Sequence, residues 1–355
     1  MAAAFKFKPL KIANGAELKF HPFEQFRTRW RDFVETIPDA TLYHSEPWLQ
    51  LLKAAHGINV HVATLEDGAE ILAGCLFARS SRVVGGRLVS LPDSEHCPLL
   101  ARDDISARAL LDALAAHPQT RAGFEIHGTA AQAPWETVDV FAKWSINLDQ
   151  TAGALQKALD KDVRRNVRRA LETGVRETHG DSIEHLRRFY RLHLETRRRL
   201  GVPPRPFRYF KILQQIFGPR GSLSVWLADS RGSDLAGLLM LHEGDTVYAK
   251  MNVRSADCPH GPNHLLFTNA LTEFAGRAKA WDLGRVDVRN RGLTEFKKRL
   301  GATSTPLPYA YLPRAPRNVS AESLSGAAGL ISRAWQRLPL WGTRAVGAAA
   351  YRFFV

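Results

Sequence analysis

Cationic side chains gather near the end of the sequence, around a short strand-like run. Asp282-Leu-Gly-Arg285 is followed by a helix-like segment that carries two adjacent lysines, Lys297 and Lys298. Cations at the mouth of a sheet suit an anionic group, and the backbone N–H groups of a helix N-terminus suit a phosphate. The spacing therefore predicts a site for an anionic carrier or a phosphate.

Polar side chains around this run extend the candidate site. Tyr248 and Lys250 alternate with apolar residues on a strand pattern, so we expect both to face the same side of a sheet. Asn263 opens a helix pattern, where it could cap the helix, bind a ligand, or do both. Arg285 and Arg289 could clamp a phosphate or carboxylate, or Arg285 could form a structural ion pair with a nearby aspartate.

The densest cluster of titratable groups in the first half of the sequence follows another strand pattern. It consists of Asp93, Glu95 and His96. A carboxylate there can take part in proton transfer, or it can simply cap a turn. His96 lies beside Cys97, but the sequence offers no further ligands at a suitable spacing, so we predict no metal site.

A run of arginines predicts a cationic helix face in the middle of the chain. Within a predicted helix over residues 151–172, arginines recur on neighbouring turns as Arg164, Arg165, Arg168 and Arg169. Residues three and four apart share one side of a helix. The run is either a solvated face or a surface that binds an anionic partner.

The composition bounds the class of protein. The chain has 355 residues, 45% hydrophobic and 24% charged, as expected for a globular protein with two domains. Its net charge of +14 favours RNA, an acidic lipid surface or a phosphorylated substrate, unless it reflects only a basic composition. Three separated cysteines without a CxxC pair argue against a zinc site and favour a reducing, cytoplasmic compartment. The pattern predicts neither a signal peptide nor a membrane-spanning run of ~20 apolar residues.

The sequence repeats one hairpin pattern. Val62 and Val225 stand at the same distance before Leu72-Ala-Gly74 and Leu235-Ala-Gly237, so the two segments align without a gap. Each segment is typical of a strand, a polar turn and a second strand. Two copies predict two similar domains in tandem.

The predicted elements alternate between helices and strands. Besides the hairpins, helices are expected over 23–35, 48–55, 105–116, 151–172, 183–200, 207–217 and 265–278, and strands over 87–91, 123–127, 139–147, 175–178, 247–253 and 286–288. The order predicts a first domain over 18–150 and a second over 151–312. Residues 313–355 are expected to form a linker and an amphipathic tail, which either packs on the first domain or contacts a membrane surface.

In order and spacing, the elements from Tyr248 to Gly301 resemble the carboxy-terminal half of the Fem-type aminoacyltransferases, which have the GNAT (GCN5-related acyltransferase) fold. The resemblance spans residues 20–311 and is strongest from Lys161 onward. It implies an α/β fold of tandem GNAT-like domains, each a mixed twisted sheet flanked by helices, with a C-terminal helical tail. A long coiled-coil insertion found in some of these enzymes is absent, so the chain is more similar to shorter relatives associated with exopolysaccharide or envelope polymers.

The resemblance also implies roles for the residues above. Lys297 after Phe296 matches the family's Phe-Lys element, whose cation could stabilise an oxyanion or a tRNA phosphate. Asp93 lies in the segment that borders the family's acceptor cleft, which implies that it holds or deprotonates the incoming amine. Tyr248 completes the expected catalytic set. The expected substrate-binding residues are Glu95, His96, Arg164, Arg168, Lys250, Asn263, Arg285, Arg289 and Lys298.

The segment expected to bind the acyl donor departs from the common pattern. Acetyl-CoA enzymes of this fold usually carry Arg/Gln-x-x-Gly-x-Gly/Ala between the central strand and the next helix. The corresponding residues 254–263 contain a single glycine, Gly261, and two prolines, and residues 91–98 of the first domain contain no glycine. We therefore expect no tightly bound cofactor, and acyl-CoA or aminoacyl-tRNA as co-substrate, with the pattern tilting away from ordinary acetyl-CoA.

Together with these patterns, the resemblance implies an N-acyltransferase that transfers an acyl or aminoacyl group to an amine of a cell-envelope or exopolysaccharide precursor. The expected partners are the acyl donor, the envelope-polymer precursor and, through the tail, the cytoplasmic face of the inner membrane. Two alternatives stay open: an acetyl-CoA-dependent N-acetyltransferase acting on an amino sugar or small amine, and a non-catalytic GNAT-like scaffold at the membrane surface. A pure RNA-binding role is disfavoured, because no basic-aromatic stacking motif is found.

Overall fold

The computed structural model describes residues 9–11, 15–80, 86–120, 123–316, 319, 332 and 335–350, with side chains up to residue 347. Most of the expected linker and the end of the tail, including Tyr351, Phe353 and Phe354, lie outside the described residues.

Strands and helices alternate along the described chain. The strands are β1 (Leu10–Lys11), β2 (Glu17–Pro22), β3 (His61–Asp67), β4 (Glu70–Arg79), β5 (Leu88–Val89), β6 (Leu100–Ala101), β7 (Phe124–His127), β8 (Glu136–Val138), β9 (Phe141–Asn147), β10 (Arg176–Gly180), β11 (Leu223–Ser230), β12 (Ser233–Glu243), β13 (Thr246–Arg254), β14 (Ala280–Asp287), β15 (Thr303–Pro306) and β16 (Tyr309–Leu312). The α-helices are α1 (Phe23–Val34), α2 (Glu46–His56), α3 (Asp104–Ala116), α4 (Ala152–Ala158), α5 (Lys161–Glu172), α6 (Ile183–Arg199), α7 (Phe207–Phe217), α8 (Pro262–Phe274), α9 (Arg291–Arg299) and α10 (Leu340–Ala350).

The described chain divides into two compact units. The first comprises residues up to 140 together with 307–319, and the second comprises 141–306 together with the described residues between 320 and 352. These limits differ from the boundaries expected after residues 150 and 312, because two strands pair elsewhere. β9 pairs with β14 and β15 in the second sheet, whereas β16 pairs with β7 and β8 in the first.

Each unit is built on a mixed sheet. The first sheet has the order β1-β2-β3-β4-β5-β7-β16-β8, with β6 paired to β4, and the second has the order β10-β11-β12-β13-β14-β9-β15. In the second unit, Leu238 on β12 belongs to the core that α8 helps to form, while its neighbour Gly237 contacts Phe189 of α6. Successive strand residues point to opposite faces, so helices cover both faces of this sheet.

The hairpin repeat is confirmed at the level of register. In the first unit the pairing of β3 with β4 skips Leu72, and in the second unit the pairing of β11 with β12 skips Leu235. Both skipped residues are the leucine of Leu-Ala-Gly, so each motif begins with a β-bulge at the same aligned position.

The glycine of each motif has a packing role. A Cβ on Gly74 would lie 2.6 Å from Cζ3 of Trp30, and a Cβ on Gly237 would lie 2.8 Å from Cδ2 of Phe189. Each glycine thus lets an aromatic ring from the preceding helix, α1 or α6, lie directly on the sheet. The repeated sequence encodes a repeated contact between helix and sheet.

An ion pair completes the repeated arrangement. Arg29, just before Trp30, places Nη2 3.2 Å from Oε2 of Glu66 on β3. Arg188, just before Phe189, places Nη2 3.3 Å from Oδ2 of Asp229 on β11. Each carboxylate stands four residues after the aligned valine of its hairpin, so the duplication includes a helix-to-sheet ion pair that the hairpin alignment did not reveal.

The predicted helix over 151–172 is two helices, α4 and α5, which is a correction to the sequence analysis. Asp160 stands between them, and its side chain accepts a hydrogen bond from the backbone N–H of Asp162, so it caps the start of α5. The helix buries Val163 and Ala170, while its arginines remain exposed. In the described part of the chain, no helix combines the length and the hydropathy needed to cross a membrane.

Candidate active site

The two central strands of the second sheet separate after a short pairing. β13 and β14 run parallel and pair only from Thr246–Ala280 to Tyr248–Asp282, although the strands continue to Arg254 and Asp287. An opening therefore follows the last pair. α8 begins after β13, and the first N–H groups of a helix lack partners within the helix, so they are available to an anionic ligand.

A β-bulge marks this opening on the β13 side. The register of β12 with β13 passes from Met251 to Ala249 and skips Lys250. Tyr248 is 5% exposed and pairs with Leu241, whereas Lys250 is the extra residue. The bulge breaks the regular alternation from which we predicted that Tyr248 and Lys250 share a face.

Asn263 is held by a second amide on β13. Its Nδ2 donates to Oδ1 of Asn252 at 3.2 Å, and Nδ2 of Asn252 donates to Oδ1 of Asn263 at 3.2 Å. Of the alternatives considered for Asn263, capping does not apply, because the N-cap position of α8 is Gly261 and Asn263 lies within the first turn. The amide pair instead ties the start of α8 to the outer part of β13.

Lys297 lies beneath the opening on the β14 side. It is 5% exposed, and its Nζ donates to the carbonyl oxygens of Leu283 at 2.6 Å and Gly284 at 3.0 Å. The pairing of β14 with β9 is irregular at these two residues, so the ammonium stabilises a bulge in β14. Oδ1 of Asp282 accepts from the backbone N–H of Gly284 at 2.6 Å, which holds the same bulge.

The surface cations predicted nearby already contact other side chains. Arg289 contacts Asp287 through Nε and Nη2, each at 3.2 Å, and Lys298 lies 3.4 Å from Glu295. Arg285 lies with Cζ 4.4 Å from the ring centroid of Phe141, a cation–π contact. A ligand at these residues would compete with contacts that the protein makes itself.

The arginine-bearing helix lies against the start of α8. Gly261 has φ +125°, and a Cβ there would lie 2.6 Å from the carbonyl oxygen of Asn166 and 2.9 Å from Cβ of Ala170, both on α5. Arg164, Arg165, Arg168 and Arg169 are exposed on that helix. Among the described residues, Arg168 and Arg169 have no ion-pair partner, whereas Arg165 lies 3.0 Å from Asp162 and Nη1 of Arg164 donates to the carbonyl of Lys157.

His264 is a residue of this region that the sequence analysis missed. It lies in the first turn of α8, with its ring 5.4 Å from the ring of Phe296, the neighbour of Lys297. Burial lowers the pKa of the imidazole, and the nearby side chains of His260 and Arg299 lower it further. The imidazole of His264 is therefore neutral at pH 7. In the sequence, the signal for this residue was an Asn-His pair at the start of a helix pattern.

The first unit holds the other predicted site residues. Asp93 lies with Oδ2 3.4 Å from Nε2 of His56, and both side chains are buried, at 9% and 5% exposed. Asp93 has φ +59° and Leu91 has φ +66°, which L-residues rarely adopt. His56 was missed because it ends α2, far from Asp93 in sequence. Backbone strain of this kind is often retained at functional sites.

Glu95 and His96 take part in local packing through their backbones. The carbonyl of Glu95 accepts from the hydroxyl of Tyr309 at 2.8 Å, and the carbonyl of His96 accepts from the hydroxyl of Thr41 at 3.3 Å. Within the described residues, no group of three or more His, Cys, Asp or Glu side chains could hold a metal ion.

A family model matches much of the second unit. Residues 157–298 match the family model described as "Acetyltransferase (GNAT) domain". The second unit is similar to this family over those residues. This match covers α5, both strands of the opening, α8 and Lys297. The match agrees with the fold that the sequence predicts for the second domain.

Solved structures extend the similarity across both units. FemX is 14% identical, with a TM-score of 0.59, over 85% of this chain and 96% of that one. L-PGS from Bacillus licheniformis is 16% identical, with a TM-score of 0.54, over 88% and 97%. The C-terminal DUF2156 domain of a protein named as a lysylphosphatidylglycerol synthetase, from Agrobacterium fabrum, is 12% identical, with a TM-score of 0.54, over 82% and 93%. No curated protein sequence matches the chain. The predicted fold of tandem GNAT-like domains, each a mixed sheet flanked by helices, is confirmed.

Proposed function

We propose that this protein transfers an aminoacyl group from aminoacyl-tRNA to an amine of a cell-envelope or exopolysaccharide precursor. The observation that carries the proposal is the contact of α5 with Gly261. Through this contact, a helix with four exposed arginines borders the start of α8, the helix that follows β13. Phosphates of a nucleic acid are natural partners for such a surface.

The chemistry of the donor segment supports tRNA over CoA. Several glycine amides in a row would cradle a pyrophosphate, but Gly261 is pressed against α5 and Pro262 has no N–H to donate. CoA carries its phosphates on one short molecule, whereas an acceptor stem presents a long row of them. Arginines on successive turns of α5 fit the longer row.

In the proposed reaction the amine nitrogen attacks the carbonyl carbon of the aminoacyl ester. A C–N bond forms, the ester C–O bond breaks, and the proton lost by the amine passes to the leaving ribose oxygen. Lys297 supplies a positive charge for the developing oxyanion, held in place by the two bulge carbonyls. Tyr248, at the last pair before the opening, lies beside the reacting group, and Lys250 and Asn263 contact the donor.

The acceptor side of the proposal rests on the first unit. Asp93 with His56 forms a buried acid–base pair that could hold or deprotonate the amine, and Glu95 and His96 follow on the same segment. The fold shared with FemX and with a protein named as a lysylphosphatidylglycerol synthetase supports an aminoacyl cargo and an envelope component as acceptor. Precursors of that kind and charged tRNA meet in the cytoplasm, where we place the protein.

The test is binding of the purified chain to aminoacyl-tRNA and to acetyl-CoA, each titrated at two salt concentrations. We expect saturable binding of aminoacyl-tRNA that weakens steeply with salt, and roughly a tenfold loss when Arg168 and Arg169 are both changed to glutamine. Arg187→Gln is the matched control, because Arg187 is similarly exposed on α6 and pairs with Glu184.

Each outcome has a distinct meaning. Saturable binding of acetyl-CoA with no dependence on Arg168 and Arg169 would overturn the aminoacyl proposal in favour of an acyl-CoA-dependent N-acetyltransferase. Equal binding of charged and uncharged tRNA, with no transfer to any amine, would favour the non-catalytic alternative.

A further inference from the structure

An apolar groove lies between α6 and α10 in the second unit. Its volume is about 550 Å³, and its apolar lining comes from Leu194, Leu340, Trp341 and Ala345. Trp341 is 77% exposed, and Val346, further along α10, is 47% exposed. Large apolar side chains clustered on a surface mark a place where another molecule or a membrane binds.

Two arginines and one glutamate line this groove. Arg191 and Arg344 are the cations; the side chain of Arg191 is 70% exposed and its Nη2 lies 3.7 Å from Oδ2 of Asp234. Glu195 also lines it, but its carboxylate accepts a hydrogen bond from the backbone N–H of Ala256 at 3.0 Å. The sequence from 335 to 350 contains Arg337 and Arg344 and no acidic residue. The groove therefore presents apolar surface with cations at its edge.

This combination is chemically specific. Tryptophan prefers the boundary between hydrocarbon and headgroups, and arginine beside it binds the phosphates of anionic lipids. A protein partner would more commonly bring acidic residues to an interface with mixed charges, whereas the described part of α10 carries no acid to meet a basic one. α10 is also too short to span a bilayer, so contact would be confined to the surface.

We propose that the groove between α6 and α10 is a peripheral docking surface for a bilayer that contains anionic lipids, with Trp341 inserted at headgroup depth and Arg344 on lipid phosphates. This inference goes beyond the proposed function and does not depend on the acyl donor. It would bring the GNAT domain to a surface where lipid-linked acceptors are concentrated.

The experiment is co-sedimentation of the full chain with phosphatidylcholine vesicles, with and without about 30% phosphatidylglycerol. We expect binding only to the anionic vesicles, weakened by salt. Trp341→Ala should lower the partition coefficient roughly tenfold, and Arg344→Gln about fivefold. Ile105→Ala is the matched control, since Ile105 is 82% exposed on α3 of the first unit, and it should leave binding unchanged.

Circular dichroism and thermal unfolding of each variant show that the chain is folded, and neither measurement depends on the proposed function. Absence of binding to anionic vesicles would overturn the docking surface. An equal loss with Ile105→Ala would overturn its location. Stronger binding after removal of residues 351–355 would show that the chain's own end fills the groove, and a dimer abolished by Trp341→Ala would show that a second copy does.

Discussion

The two sheets share one design but treat their central opening differently. In the first unit β5 and β7 pair in parallel over Leu88–Phe124 and Val89–Glu125, as β13 and β14 do in the second. The chain after β5 then turns back, and Cys97 pairs with His127 just after the parallel pair. The first unit thus fills with its own backbone the place that the second unit leaves open.

His127 is central to this filling. Its backbone N–H donates to Oγ of Ser90 at 2.8 Å, its Nδ1 contacts the carbonyl of Ser94 at 3.0 Å, and its ring stacks on Tyr309 at 4.1 Å. In the second unit the equivalent segment, 255–261, contacts helices instead: Gly261 packs on α5, and the backbone N–H of Ala256 donates to Glu195 of α6. A duplicated fold can therefore keep an opening in one copy and use the corresponding place in the other copy for packing.

A change at Lys297 should have the largest effect, because it alters the opening of the second unit. Lys297→Ala removes a buried ammonium and leaves two bulge carbonyls without it, so we expect turnover in aminoacyl transfer to fall at least ~100-fold. The free energy of unfolding should fall by about 2 kcal/mol. Kinetics and urea denaturation of the same preparation measure both effects.

Lys298→Ala is the control. The side chain of Lys298 is exposed, and its Nζ lies 3.4 Å from Oε1 of Glu295. Its stability should stay within ~0.5 kcal/mol of the parent. If Lys297→Ala lowers stability but leaves the turnover of the folded fraction intact, Lys297 holds the bulge and does nothing more.

Gly261→Ala tests the contact between α5 and the start of α8 in the second unit, whose sheet has the opening. The new Cβ would meet the backbone of Asn166 at 2.6 Å at a φ of +125°, so we expect a loss of about 3 kcal/mol in unfolding free energy and weaker donor binding. Gly276→Ala is matched, since Gly276 has φ +69° and nothing within 4 Å of the new Cβ. It should lose about 1 kcal/mol, and equal losses for the two variants would contradict the steric argument.

His127→Ala tests the filled side. Loss of the side-chain contacts to Ser94 and Tyr309 should lower the free energy of unfolding by about 2 kcal/mol. Binding of aminoacyl-tRNA should remain, because the proposed donor site lies in the second unit. Thermal unfolding measures the stability, and a binding titration measures the affinity for aminoacyl-tRNA. A variant that folds normally but fails to bind the donor would contradict the separation of packing in the first unit from donor binding in the second.

The ion pair found in both units can be compared through the pH dependence of the free energy of unfolding. Burial raises the pKa of Glu66, but hydrogen bonds from His21 and Thr64 and the charge of Arg29 outweigh it and bring the pKa to about 2. A lowered pKa stabilises the fold at pH values above the ordinary 4.5, and that stabilisation is lost as the pH falls from 4.5 towards 2. Glu66→Gln should therefore destabilise by about 2 kcal/mol at neutral pH and progressively less below pH ~4.5.

Asp229→Asn is the corresponding change in the second unit. It should have a smaller effect, because Arg188 keeps a second carboxylate, Asp234, at 2.6 Å. Stability measured across the acidic range for both variants checks the pair, and an unchanged Glu66→Gln difference at low pH would contradict the role assigned to Glu66.

Several features could be predicted from local pattern alone. The apolar spacing located α1, α3, α6 and α7, and the two Leu-Ala-Gly motifs located both hairpins, since bulge and glycine requirements are local. The arginines of α5 were predicted on one exposed helix, although its start was missed because the capping role of Asp160 was not recognised.

Contacts between residues that are distant in the sequence could not be predicted from local patterns. His56 meets Asp93, Asn252 meets Asn263, and Arg29 meets Glu66 only because strands and helices bring them together. The bulge at Lys250 also escaped, since a bulge depends on the register with β12 and not on the strand's own sequence.

The tandem α/β design, the hairpin repeat and the cationic helix could be predicted from the sequence alone, because periodicity, turns and charge depend on neighbouring residues. Only the tertiary structure decided that β9 and β16 join the opposite sheets from those expected, that Lys297 is buried on two carbonyls, and that the first opening is filled. Those outcomes depend on which backbone groups remain unpaired once the sheets form, and that is a property of the whole fold.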